Sequence, residues 1–500
     1  MSIRFSHIVL LSTLLLGGLI YVLHLLGLVT PANEVYARFA AIGVFTLSFL
    51  LIAWQKVKNH RFSWGDFYKN DTFVVVSLTL LLVSLFFAKK ISYNLIGVFA
   101  IASLIHVLYT RKFYAPPKFF YFILAYGLLL FFGTIGTAKG FRFPDKILSF
   151  YVLPLAFCFF SLPKKTLLKI AEIFFRAGLI CLLISVLYWW YNFLHLDVNF
   201  IEWITGKTTY QAQMTGWESQ AGGNFRWNGP PTKDTVIGYS AYFFVNSWSY
   251  LYHPTAKSVV LLGVLITGFY LYFKKKEFST ISKWDLLLYA ALCLLTTLLQ
   301  QGRIGLAGFI LIVGISGLYY LRLKTKYFKV GLLACLLLGG ATLLLVGDKV
   351  SGFVNDDVRD AYRRIAVSYI QENPWWGIGF DGQRLALQTQ AEKIKDTLPA
   401  MVYPHSEHPI THAHNQFLGD MVQFGVWGLI ALMAMLAAIA YYAVKNRSYP
   451  LPAYLCFILC VMWIEGGEFI ITLIFITFFT AMSEAEKERK LLFEKTKVKK

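Results

Sequence analysis

Apolar runs close to the length of a bilayer crossing alternate with polar segments along nearly the whole chain. They cover residues 7–29, 36–54, 72–88, 93–110, 119–137, 148–162 and 170–195, then 257–273, 284–300, 305–322 and 330–346. A further run follows His414, and a last hairpin is broken by Glu465-Gly-Gly-Glu468. Two long polar stretches interrupt the series, at 196–235 and 347–413, and the stretch 236–252 is too polar at Ser240, Asn246 and Ser247 to make a good span by itself. The pattern predicts an all-α polytopic integral membrane protein of about 12–14 transmembrane helices with two long outer loops, the second partly helical.

Composition agrees: 57% of the side chains are hydrophobic, 17% aromatic and only 15% charged, far from the soluble average. The formal net charge of +20 would suggest nucleic acid in a soluble protein. Here it reads as membrane orientation, so no nucleic-acid partner is expected and membrane lipids are. After Met1-Ser-Ile-Arg4 the run from His7 is too long for a cleavable signal core, and it reads as a first membrane helix. All six cysteines (Cys158, Cys181, Cys293, Cys335, Cys456 and Cys460) lie inside apolar runs, where they read as packing thiols.

Lysines and arginines collect in alternate connections, among them Lys56–Lys69, Arg111–Lys118, Lys164–Lys169, Lys274–Lys283, Arg322–Lys329, Lys445-Asn-Arg447 and the tail. That side is the cytoplasm by the positive-inside rule. Counting from both ends then sets the two long polar loops outside, provided that 236–252 does not cross alone. The expected organisation is N-terminal transmembrane helices at 1–195, a first outer loop at 196–235, central helices at 236–346, a large outer loop at 347–413, C-terminal helices at 414–483 and a charged cytoplasmic tail at 484–500.

Chemistry gathers on the outer side. In the stretch His412-Ala-His414-Asn415-Gln-Phe-Leu-Gly-Asp-Met-Val-Gln-Phe-Gly425-Val-Trp-Gly428 a polar segment turns directly into an apolar run. An ionisable side chain there is costly unless it has a function. Read as one helix, the stretch sets Gly425 on the face of His414 roughly 16 Å deeper, leaving a bare face for close approach below the imidazole. Beside a helix N-terminus the neutral imidazole is favoured, so His414 can accept a proton. Asn415 is positioned to orient it or a substrate hydroxyl.

Arg226 in the first loop, Arg303 in Gln300-Gln-Gly-Arg303, and Arg363-Arg364 ahead of Asn373-Pro-Trp-Trp-Gly-Ile-Gly379 supply planar forks of donors suited to phosphate. Plain alternatives stay open: a solvated loop charge at Arg226, snorkelling at Arg303, a simple turn at Asn373-Pro374, and interfacial anchoring by Trp375 and Trp376. Neighbouring helical positions point about 100° apart, so only one of Arg363 and Arg364 is expected to face inward. His405, Glu407, His408, His412 and His414 also raise a divalent metal site, but their spacing fits no helical metal motif and Pro404 and Pro409 break the segment. No metal or other cofactor is expected.

His414-Asn415 followed by Gly425-Val-Trp-Gly428 resembles the signature of the bacterial O-antigen ligases and their relatives, the O-antigen polymerases and protein O-oligosaccharyltransferases. Arg303 after a span, and Arg364 followed by Asn373-Pro374 and Gly377-Ile-Gly379, resemble the family's other landmarks in the same order over about residues 220–440. The resemblance implies a glycosyltransferase of the inner membrane. It would move a glycan from undecaprenyl diphosphate to a sugar hydroxyl of lipid A core, at the periplasmic face, without metal or nucleotide. His414 would be the base, Arg303, Arg364 and Arg226 would hold the diphosphate, and Asn415, His412 and Arg363 would give support. A polymerase or protein O-oligosaccharyltransferase using the same donor is the alternative. A transporter is a third, disfavoured because the polar groups cluster on one surface and not at the midplane.

Overall fold

The computed structural model describes residues 8–16, 71–86, 89–134, 145–194, 254–274, 281–299, 303–323, 357–379, 382–398, 412–446, 449–464 and 469–485, with 19 and 43. The first polar loop with Arg226, the stretches at 36–54, 236–252 and 330–346 (but for 43), the segment holding His405, Glu407 and His408, and the charged tail from 486 lie outside the described residues.

The described residues are helical almost throughout. In chain order they form α1 (Thr72–Ser84), α2 (Lys89–Thr110), α3 (Phe119–Phe132), α4 (Asp145–Phe159), α5 (Lys164–Leu194), α6 (Pro254–Phe273), α7 (Lys283–Leu299), α8 (Arg303–Leu323), α9 (Asp357–Glu372), α10 (Gln383–Lys393), α11 (Gln416–Phe424), α12 (Val426–Asn446), α13 (Pro450–Ile464) and α14 (Phe469–Glu484). By length and composition, five of them can cross a membrane: α2, α5, α6, α8 and α12. α1, α3, α4, α13 and α14 are shorter and equally apolar. The protein is an all-α polytopic membrane protein. Lipid offers no partner to a backbone N–H or C=O, and a helix satisfies both internally. Several side-chain hydroxyls inside the bundle follow the same rule by bonding back one turn: Ser103 donates to the Phe99 carbonyl at 2.9 Å, Thr267 to Gly263 at 2.9 Å and Ser483 to Phe479 at 2.8 Å. The described cysteines are all free thiols.

α6 is the buried axis of the bundle and packs against α5, α7, α8, α13 and α14. Its neighbours are held in register by glycines that admit a side chain from the facing helix. Gly178 of α5 receives Val264, Gly268 of α6 receives Phe175 and Leu286, Gly305 of α8 receives Ser258 and Thr297, and Gly308 receives Phe457. One end of the bundle carries the basic residues: Lys164 opens α5, Lys274 follows α6, Lys283 opens α7, and Arg322 and Lys445 close α8 and α12. There Tyr449 meets Phe273 with ring centroids 5.1 Å apart, and its hydroxyl bonds that of Ser316. The opposite end holds the start of α8 at Arg303, the end of α13, and the histidines.

At that histidine end α9, α10 and α11 form a small helical unit with its own core, built on Ala361, Ile365, Ala366, Leu387, Ala391 and Val422. The large polar loop is thus partly helical, as its pattern predicts. Gln390 ties α10 to α9 by donating to Ser368 at 2.8 Å and to Glu372 at 2.7 Å, and Lys393 pairs with Glu372 at 2.5 Å.

The reading of one continuous helix from His414 is corrected. α11 ends at Phe424 and α12 begins at Val426, with Gly425 between them at φ 63°, ψ −156°. The stretch Asn373–Gly379 causes the break, for it is a clamp more than a turn. Ile378 N–H donates to Val422 O at 3.0 Å, Gly379 N–H to Gln423 O at 2.8 Å, and Val426 N–H to Pro374 O at 3.0 Å. The approach requires bare backbone on both sides. A Cβ on Gly377 would lie 2.0 Å from the Gln423 carbonyl carbon, and one on Gly425 would lie 2.2 Å from Trp375 O. Close approach at Gly425 is what the bare glycine face predicts, but the visitor is this loop.

α11 is moored below by a buried carboxylate. Asp420 accepts from the Tyr126 hydroxyl of α3 at 2.6 Å and from the Gln416 side-chain amide at 2.6 Å. Burial pushes its carboxyl up to about 7, against the downward pull of those two donors. A carboxyl raised in the folded state gives stability that is complete below the unfolded value and is lost as pH rises through the folded one. The melting temperature of the purified protein should therefore fall as pH rises from about 4 to about 7, and Asp420→Asn should flatten that slope. An unchanged slope in the variant would mean that another group titrates there.

Candidate active site

His414 does not sit inside a helix. It occupies the residue before the helix cap, in the left-handed region at φ 48°, and Asn415 after it is extended. That kink turns the imidazole out of line with α11 and onto α9. Its ring stacks on Tyr362 with centroids 5.2 Å apart and planes 20° from parallel, while the His412 ring lies 3.9 Å from it. Tyr362 is buried and His414 half-buried, so one face of the imidazole is held and the residue still reaches solvent.

Asn415 is buried and uses both arms of its side chain. Its oxygen caps α11 by accepting from Leu418 N–H at 3.1 Å, and its amide donates to the carbonyl of Trp463 at 2.9 Å. Its part is therefore to fix the backbone that carries His414 to the end of α13.

That tie sets the level of the histidine relative to α8. Gly308 against Phe457 and Ser316 against Tyr449 define one antiparallel register between α8 and α13. Carried five residues outward it sets position 303 opposite Met462, next to the Trp463 carbonyl that Asn415 holds. The opening of α8 at Arg303 and the His414-Asn415 kink thus share one level of the bundle end. Of Arg303 only the backbone is described, and Arg226 lies outside the described residues.

On α9 the arginines divide. Ala361, Tyr362, Ile365 and Ala366 form its inward face. Arg363 is half-buried, reaches Asp360 at 3.3 Å and has its Nε sealed from solvent with no partner, while Arg364 is exposed. Arg364 lies about 160° around the helix from Tyr362, away from the imidazole. Arg359, which the sequence reading passed over, lies about 60° around the helix from Tyr362 and is half-buried. The signal for it was present as an arginine three residues before an inward aromatic, but it speaks only once Tyr362 is seen to touch His414. Trp375 and Trp376 stand out from the clamp beside this unit, exposed by 63% and 76%.

The constellation offers a held imidazole, arginines on the helix that it rests against and two exposed indoles, at the end of a membrane bundle. Such a set can take a proton from a hydroxyl, grip an anionic leaving group and stack on a sugar ring. No curated protein matches the chain. The family model described as O-antigen ligase matches residues 288–433, which run from α7 through the first turns of α12 and take in Arg303, the α9–α11 unit and His414. Over that stretch the chain is similar to the O-antigen ligase family.

Proposed function

We propose that the protein is an inverting glycosyltransferase that moves a glycan from undecaprenyl diphosphate to a sugar hydroxyl of lipid A core, at the periplasmic face of the bacterial inner membrane. The observation that carries this reading is the tie from Asn415 to Trp463, which brings the imidazole to the level at which α8 opens with Arg303. His414 takes the proton of the acceptor hydroxyl as its oxygen attacks the anomeric carbon. The bond from that carbon to the diphosphate oxygen breaks on the opposite face, and its electron pair leaves with the diphosphate. Attack and departure on opposite faces invert the centre. The proton is then lost from the imidazole to solvent, to which its half-buried side chain is open. Tyr362 keeps the ring in plane for this exchange, and Arg303 and Arg359 grip the departing phosphates, with Arg226 and Arg364 attracting the anion from the rim.

Lysine keeps the charge of arginine and loses its fork. In a transfer assay Arg303→Lys and Arg359→Lys should lose most of the rate, on the order of tenfold or more each, whereas Arg364→Lys should be mild. Equal tolerance at all of them would make these arginines ordinary surface charges. The acceptor is tested in a deletion strain. Full-length polymer stranded on the lipid carrier means a ligase, and a core bearing a single repeat means a polymerase.

A further inference from the structure

The stretch Asn373–Gly379, which breaks α11 from α12, carries no charge, and its apolar side chains end in the open: Trp375 and Trp376 stand out from the clamp and Ile378 is exposed as well. Its backbone donors are largely satisfied. The N–H groups of Asn373, Ile378 and Gly379 donate to Tyr369 O, Val422 O and Gln423 O, and Pro374 has none to place. The Asn373 side-chain amide also turns back, to the Tyr369 carbonyl at 3.3 Å. A loop with exposed indoles, few open donors and no charge can enter a medium drier than water at little cost.

The level of this loop follows from α12. Val426 N–H, the first of that helix, bonds Pro374 O, so the clamp stands where the span begins. Trp427, Ile430, Met433, Tyr441 and Val444 are exposed at helical spacing, a lipid-facing stripe down one side of a helix long and apolar enough to cross a membrane. Amphipathic side chains close the stripe at both ends: Trp427 at one, and at the other Tyr441, with the Lys445 ammonium 5.6 Å from its ring centroid. The helical rise from Trp427 to Lys445 is about 27 Å, close to the roughly 30 Å of a hydrocarbon core. α3 confirms the boundary, for it runs antiparallel to α12 with Phe119 against Tyr442 at the basic end and Gly133 admitting Phe424 at the other. Exposed indoles recur at the same end of the bundle as Trp190 of α5 and Trp463 of α13.

We infer that the clamp is a membrane anchor: Trp375, Trp376 and Ile378 lie in the headgroup region of the leaflet at the histidine end and hold the α9–α11 unit against the bilayer. A platform for sugar rings sets hydrogen-bonding side chains beside its aromatic faces, whereas the Asn373 amide here is turned to its own backbone. Anchoring gives the clamp a second part. Besides separating α11 from α12, it fixes the depth of the small unit whose Tyr362 floors the imidazole. This contact with lipid stands whether or not the protein transfers a glycan.

The test places a nitroxide on single cysteines of the full chain in phospholipid nanodiscs, with the six native cysteines replaced. Trp376→Cys reads the tip of the clamp, and Asn373→Cys reads its shoulder with both indoles kept. Trp427→Cys is the membrane reference, and Thr389→Cys, on the face of α10 that exposes Glu392 and Lys393, is the aqueous one. Labels at 373 and 376 should match the label at 427, reached severalfold better by dissolved oxygen than by a water-soluble nickel chelate, while the label at 389 shows the reverse. Labels at 373 and 376 that behave as the one at 389 overturn the proposal. If free core oligosaccharide then shields them from the nickel chelate, the indoles are a glycan platform. Should the cysteine-free chain not fold, a benzophenone amino acid at position 376 of the otherwise native chain decides the matter. It should crosslink to phospholipid, and one at position 389 should not; equal crosslinking, or none at 376, overturns the anchor.

Discussion

His414→Ala should lower the transfer rate on the order of a thousandfold while leaving membrane insertion and melting temperature close to wild type. General-base catalysis is worth about a hundred- to ten-thousandfold. The side chain is half-buried and stands at the edge of the small core, resting on Tyr362 by one face. The backbone at φ 48° is one that any non-glycine residue adopts at a modest cost, and the cap and mooring belong to Asn415 and Asp420. Added imidazole should restore part of the lost rate by entering the space above Tyr362. His412→Ala should be much milder, because it is the His414 ring that stacks on Tyr362, with the His412 ring beside it at 3.9 Å. Near-normal turnover in His414→Ala would remove the base assignment outright. A loss in both rate and melting temperature would make the residue structural.

Gly425→Ala should fail differently, losing transfer and stability together, at a cost of about 3 kcal/mol or more. Two independent penalties meet at this position. Its backbone, at φ 63° and ψ −156°, is in a region that essentially only glycine occupies. A methyl group there would lie 2.2 Å from the Trp375 carbonyl oxygen. The loop cannot step aside cheaply, because Ile378, Gly379 and Pro374 are all hydrogen-bonded to the chain on either side of Gly425. Relief therefore means opening the clamp, and an open clamp frees the end of α11 whose start carries His414. Limited proteolysis near Trp375 should become faster in the variant. A Gly425→Ala protein with wild-type melting temperature and rate would show that the clamp is dispensable.

Much of the bundle was legible because lipid imposes a length. α2, α5, α6, α8 and α12 stand in the sequence as apolar runs, and the alternation of lysine-bearing connections matches the basic end of the helices. The break at Gly425 was not legible. Glycine inside an apolar run is ordinary in membrane helices, and nothing local distinguishes one that lets a helix pass from one that admits a loop. The partner that decides it, Trp375, is fifty residues earlier in the chain. The same long-range ignorance favoured Arg364 over Arg359, since the pattern around α9 shows which positions are apolar but not that Tyr362 is the one beneath the imidazole. Asn415 was seen as chemically apt, and its geometry gives it a mooring part.

The central claim is that the histidine end of this bundle transfers a glycan from a lipid diphosphate to a hydroxyl. Its most direct test mixes the purified full chain, in nanodiscs, with polyprenyl-diphosphate-linked glycan and a core-sugar acceptor, and follows both products at once. Free polyprenyl diphosphate should appear in step with acceptor-linked glycan, one for one, with the anomeric configuration inverted. Donor that is bound or moved across the bilayer with its glycan still attached, and no diphosphate released, would contradict the account and make the protein a carrier.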